Sequence, residues 1–256
     1  MEATVKKQIL GFLLTFTLLL GSTAFAYTIS DVGSAAYWGG RVSGASSIAY
    51  GDVIGSPYFN VDQMIVTNSG RDWTVTLVGP YFGYHNDQNA DGGLPYRFGP
   101  GDLYINSNGW VATQGPAGHY ETDTFAQSEG WNFVVTKNTE GQWGLYSLDY
   151  SKIQYTNAGS GYIYRTGQAW QGGAGGYIGA ARIDDHLNNQ LTFTFNTGNF
   201  DWTNIGLHWT MQCGNDVVEG AAPVPEPSTM LLLGSGLVGL WGIRKKRKGH
   251  RAEGIE

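Results

Sequence analysis

The sequence predicts an all-β fold, an antiparallel β-sandwich over residues 27–222, on three observations. Apolar residues recur with a period of two, turn-forming clusters punctuate the chain at short intervals, and no segment has the apolar stripe of an amphipathic helix. Composition agrees: 39 glycines, 14% aromatic and 14% charged residues describe a chain rich in strand and turn formers.

In Trp73-Thr74-Val75-Thr76-Leu77 the odd positions are apolar and the even ones hydroxylic, so one face meets a core and the other water. Leu191-Thr192-Phe193-Thr194-Phe195 repeats the scheme, residues 205–211 continue it, and residues 131–135 form a fourth such run. Weaker strands are expected over residues 48–54, 61–67, 102–105, 110–113 and 143–148. Asn68-Ser69-Gly70, Gly99-Pro100-Gly101, Asn106-Ser107-Asn108-Gly109 and Asn138-Thr139-Glu140-Gly141 supply the turns. At least nine short strands point first to a lectin-like jelly roll, second to an up-and-down barrel and third to a β-helix. Residues 159–179 hold eight glycines, which predicts a long surface excursion or a bent edge, not a central strand.

Both ends differ from this domain. Residues 1–26 run from a lysine-bearing start through a 12-residue apolar stretch to Ala24-Phe25-Ala26, the order of a secretory signal, with cleavage by signal peptidase expected between Ala26 and Tyr27. At the other end Pro223-Val224-Pro225-Glu226-Pro227 is stiff and extended, because proline fixes φ and pushes the preceding residue out of helical space. Sixteen uncharged residues follow, 228–243, then Arg244-Lys245-Lys246-Arg247-Lys248. As a helix the uncharged run would measure about 24 Å against a hydrocarbon core of about 30 Å, so it makes a transient anchor with its basic end cytoplasmic. Gly234-x-Gly236-x-x-Gly239 spells a dinucleotide fingerprint, yet no βαβ unit surrounds it.

The order Pro225, Glu226, Pro227, then Ser228-Thr229-Met230, an apolar helix and a basic cluster resembles the PEP-CTERM sorting signal of Gram-negative bacteria. The resemblance covers residues 223–248, leaving 249–256 as a polar extension. It implies an exosortase partner that recognises the Pro-Glu-Pro segment, brief residence in the inner membrane, and delivery to the cell surface or extracellular matrix. The segment from Gly206 to Asp216 is also similar to the last strand of other exosortase-dependent proteins.

Residues 27–222 carry 7 Lys and Arg against 17 Asp and Glu, a net charge of −10, which argues against nucleic acid as a partner. The one cysteine, Cys213, cannot close an intrachain disulfide, so packing or metal must hold the fold; its readings are a half-buried small side chain, a reactive thiol or an intermolecular bridge. Asp87-x-Asn89-x-Asp91-Gly92 places three oxygen donors on alternate residues before a glycine, the start of a calcium loop. The closing acid is missing, since the next carboxylate is Asp102, so a polar turn is the other reading.

No nucleophile or metal-protease motif occurs, and the chain reads as a non-enzyme. Asp184-Asp185-His186 reads as a polar turn or as a base with its orienter. Glu121, Asp123 and Glu129 could pair as glycosidase carboxylates only at a separation that sequence does not supply. His208 is expected to face solvent or to be hydrogen-bonded. Tyr81, Phe82 and Tyr84 beside the Asp/Asn loop, and the Trp/Tyr set from 162 to 177, are candidates for stacking on sugar rings or for core filling. The functional expectation is a non-catalytic surface or matrix protein associated with extracellular polysaccharide; the alternative is a secreted glycan-active enzyme on the same fold.

Overall fold

The computed structural model describes residues 25–32, 49–50, 53–54, 57–86, 98–110, 124–156, 165–184, 189–202 and 204–223, together with Gly234 and Gly236. The chain divides into two compact units, Ala24–Val224 and a second formed by Met1–Thr23 with Pro225–Glu256. In the second unit the described Gly234 and Gly236 are helical. The expected signal helix, and the remainder of the sorting helix, lie outside the described residues.

The larger unit is nearly all β, as the period-two pattern requires. Its strands are β1 (Phe25–Ser30), β2 (Ala49–Tyr50), β3 (Val53–Ile54), β4 (Gln63–Ser69), β5 (Asp72–Val78), β6 (Leu103–Asn106), β7 (Phe133–Lys137), β8 (Trp143–Tyr155), β9 (Ala169–Asp184), β10 (Gln190–Asn196), β11 (Asn204–Thr210) and β12 (Val217–Pro223). Among the described residues one short α-helix, α1 (Pro80–Asn86), begins on a proline whose missing N–H costs nothing at that position.

Ten strands make one antiparallel sheet in the order β1-β4-β5-β10-β9-β8-β7-β6-β11-β12, and a separate two-stranded sheet pairs β2 with β3. This differs from the two stacked sheets of the expected jelly roll. The two ends of the sheet meet: the Ile29 side chain on β1 fills the place a β-carbon would take on Gly220 of β12, 2.5 Å away. The result is a nearly closed, barrel-like sheet, closer to the second expectation.

Strand β9 is the reason that the two halves stay hydrogen-bonded. Its first part pairs with β8 and its last four residues, from Ala181 to Asp184, pair with β10. The expectation of a surface excursion over residues 159–179 is therefore corrected from Ala169 onward: these glycines belong to a 16-residue strand inside the sheet. Gly172 sits at φ +86° where the β8 register shifts, and a β-carbon on Gly179 would lie 2.1 Å from the Asn196 carbonyl oxygen. Here glycine permits an irregular, close-packed strand, a role that composition does not distinguish from a loop.

The interior holds Trp73, Val75, Leu77, Leu191, Phe193, Phe195, Leu207 and Trp209, the apolar positions of the alternating runs. Outside, β4, β5 and β10 keep a wet face on which Thr67, Thr74 and Thr194 share one row and Thr76 and Thr192 another. The opposite half is covered on its outer face too, by a second cluster of Tyr104, Phe125, Trp131, Val134, Tyr146 and Ala169. Consequently β11 is buried at six of its seven positions.

Candidate functional site

Double burial leaves polar side chains inside the second cluster, where each needs a partner. His208 on β11 lies opposite Glu219 on β12 in the ladder and is ringed by Phe125, Tyr104 and Trp131 at centroid distances of 4.9, 5.8 and 5.8 Å. Its Nε2 is 2.9 Å from the Ala169 carbonyl oxygen and must donate to it; its Nδ1 is 2.5 Å from Glu219 Oε1. Nδ1 and the carboxylate are therefore hydrogen-bonded to each other. Neither ring nitrogen keeps a lone pair for a metal or a substrate, so the pair ties β11, β12 and β9 together. The expectation that His208 faces solvent or is hydrogen-bonded resolves to the second, with the ring fully buried.

Asp102, just before β6, is 3% exposed and accepts hydrogen bonds from Thr136 Oγ1 at 2.5 Å and the Gly172 N–H at 2.8 Å. Burial pushes its carboxyl up to about 7, against those two hydrogen bonds and the charge of Lys137. Glu129 is also buried, and its Oε2 accepts from the Ala126 N–H and the Trp131 indole N–H at 2.9 and 3.0 Å. These carboxylates hold strands and rings in place.

Past the second cluster the outer face opens to solvent along β9. Tyr177 is 63% exposed and meets Tyr146 of β8 edge-on, with ring centroids 5.7 Å apart and planes at 70°. The Tyr146 ring lies over Gly144, whose absent β-carbon would fall 2.8 Å from it, and its hydroxyl donates to the Gln142 carbonyl. Gly144 in turn pairs with Ala180. The exposed Tyr177 ring, standing edge-on against the buried Tyr146, makes an aromatic step on this face.

Residues 223–248 match the family model described as the PEP-CTERM protein-sorting motif. The chain carries a PEP-CTERM sorting signal. No curated protein and no solved structure matches the chain. The PEP-CTERM signal marks an exported protein that exosortase processes and delivers to the surface. The motif begins at Pro223, the last residue of β12, so the barrel runs directly into its sorting segment. Pro225, Glu226 and Pro227 lie outside the described residues. Among the described residues no helix is long and apolar enough to cross a membrane. At the other end, Ala24 lies outside the described residues, whereas Ala26 and Tyr27 are exposed on β1 and pair with Thr67 and Val66.

The remaining candidates divide. Asp87, Asn89 and Asp91 lie outside the described residues, as do Asp185, His186, Glu121 and Asp123. Among the described residues no cluster of three His, Cys, Asp or Glu could hold a metal. Tyr81 is corrected: it is fully buried, donates its hydroxyl to the Phe98 carbonyl at 2.6 Å, and packs against Trp209 with centroids 5.9 Å apart. With Phe82 it turns inward from α1 to join the interior cluster, so it presents no ring to a glycan. Tyr84 is in α1 by its backbone; its side chain is outside the described residues.

Cys213 is fully buried in the interior, which bars an intermolecular bridge. Burial pushes its thiol up to about 12, with backbone hydrogen bonds from Asn215 and from Cys213 itself opposing. Native protein at pH 8 should therefore react with iodoacetamide about a thousandfold more slowly than unfolded protein. Rapid labelling of the native form, followed by mass spectrometry, would contradict this burial.

The residues that pattern reading missed are Arg165 and Glu219, while Asp102 was read only as the first carboxylate after the Asp/Asn loop. Arg165 donates from Nη1 to the Asn215 carbonyl at 2.7 Å, and Asn215 in turn bonds both backbone groups of Ile54. Glu219 gave no signal: Val217 and Val218 are consecutive apolar residues and the strand is buried on both faces beside the proline-rich linker, so no alternation marks it.

Proposed function

We propose that this exported, exosortase-sorted protein is a non-catalytic component of the surface or matrix that associates with extracellular polysaccharide through the outer face of β8 and β9. The observation that carries the reading is the Tyr177 ring, largely exposed yet held edge-on against Tyr146. A tyrosine presents a large rigid face at low entropic cost, and the C–H face of a sugar ring is a suitable partner for it. The net charge of −10 over residues 27–222 adds that the partner is no strong polyanion.

Affinity electrophoresis of the full chain in gels containing soluble polysaccharides tests this. Tyr177→Ala should weaken retardation by roughly three- to tenfold, the loss of one aromatic contact. Unchanged retardation would remove the ring from the reading. Release of reducing ends from the polymer would replace it with the glycan-active enzyme.

A further inference from the structure

Beyond the tyrosine step the same outer face sinks into a groove of about 480 Å³ between β5, β10 and β9, within the size range of small-ligand sites. Its polar lining comprises Asp72, Arg182, Asp184, Thr192, Thr194 and Asn196, with Ala180 at its margin. The register explains how six chemistry-bearing groups gather here. Thr194 stands opposite Arg182 on one side and Thr74 on the other, and Thr192 stands opposite Asp184 and Thr76. Rows two residues apart are separated by about 6.7 Å along a strand, and neighbouring strands by about 4.8 Å, so the groups form a grid.

The grid is preorganised. Asn196 Nδ2 donates to Asp72 Oδ1 at 2.7 Å, while Asn196 Oδ1 accepts the Gly198 N–H at 2.8 Å. Arg182 Nη2 is 3.5 Å from Asp184 Oδ2, with 79% of the arginine side chain exposed, and the Thr76 and Thr192 hydroxyls are 3.2 Å apart. Planar amide, carboxylate and guanidinium groups beside hydroxyls supply donors and acceptors together. A sugar hydroxyl both donates and accepts, so a polyhydroxylated chain suits such a wall. The groove's charged lining is Asp72, Asp184 and Arg182, one net negative charge inside an acidic domain, which disfavours a uronate or sulfated polymer.

Resting on the polysaccharide reading above, we propose that this groove holds the stretch of a neutral polysaccharide that runs on from the Tyr177 ring, with Asp72, Asn196 and Arg182 hydrogen-bonding its hydroxyls. Tyr177 and Ala180 are three residues apart on β9, within about 10 Å, and the register shift between Leu145 and Tyr146 keeps both on the face of Tyr146 and Gly144, so ring and groove are reached by one short glycan segment. The ring supplies stacking; the groove selects for hydroxyls over carboxylates.

The test uses the full chain, a soluble glucan, a mannan and a galactan as neutral probes, and alginate as the uronate probe. At least one neutral polymer should bind, alginate should not, and Asp72→Ala combined with Asn196→Ala should weaken the neutral binding about tenfold. Arg182→Ala, at an exposed side chain, should weaken it in the same direction and serves if the double variant unfolds. Alginate binding as tight as that of the neutral polymers would overturn the assignment of ligand class. Neutral binding that Tyr177→Ala weakens but the groove variants leave unchanged would overturn the groove and spare the ring. Absence of binding to all four polymers would overturn both.

Discussion

Replacing Glu219 with alanine is expected to destabilise the barrel by about 3 kcal/mol, the cost of leaving the buried Nδ1 of His208 without its hydrogen-bond partner. Glu219 is 4% exposed and His208 fully buried, so water cannot replace the lost partner at Nδ1. The pair spans β11 and β12, and through the Ala169 carbonyl it reaches β9, so the loss falls on three strands together. Its second oxygen, Oε2, has no hydrogen-bond partner among the described residues, which means that the pair already carries a desolvation cost. For that reason His208→Phe with Glu219→Leu should recover most of the loss. About 1 kcal/mol should remain for the Ala169 carbonyl, which loses its donor. Urea unfolding of the three forms measures this, and a Glu219→Ala cost below about 1 kcal/mol would show that the pair is not the buried tie described here.

The second large effect is a pH dependence. Because the Asp102 carboxyl is raised from 3.8 to about 7 in the folded protein, the folded state keeps this proton over a range where the unfolded chain has lost it. The associated stability is fully present below about pH 4, declines as pH rises, and is gone above about pH 7, a change of about 4 kcal/mol. Other carboxylates titrate in the same range, so the measurement is the difference between the wild type and Asp102→Asn. Asparagine can accept the Thr136 and Gly172 hydrogen bonds through its oxygen, yet it carries no proton to lose. Relative to the wild type, Asp102→Asn should therefore gain stability steadily between pH 4 and pH 7. A constant difference across that range would show that Asp102 titrates as an ordinary surface acid.

These two acids matter to the surface above them. Asp102 accepts from Gly172 at the irregular start of β9, and Glu219 fixes the ring that contacts Ala169, the first residue of that strand. Strand β9 then carries Tyr177, Ala180 and Arg182 outward. Polar ties under a glycine-rich strand limit its freedom, which is a condition for a rigid aromatic step.

The sorting signal at the C-terminal end was legible in one dimension. A Pro-Glu-Pro segment, an uncharged run and a basic cluster are read by their order, and the matching family model covers the same residues 223–248. Strands β5 and β10 were legible too, because each has one dry and one wet face and the residue alternation records this directly. Where both faces are buried, alternation vanishes: β12 passed unread beside the linker, and His208 became a tie within the second cluster.

Glycine was the least legible of all. The run in β9 reads as a loop in sequence, and what makes it a strand is the approach of Ser147 and Asn196 from elsewhere in the chain. Tyr81 and Tyr177 likewise have the same side chain and opposite fates, one sealed against Trp209 and the other turned to solvent. Local pattern reports which backbone geometry a segment favours. Whether a ring or a carboxylate ends inside or outside depends on which distant strand packs against it, and that was settled when the ten strands rolled into one sheet.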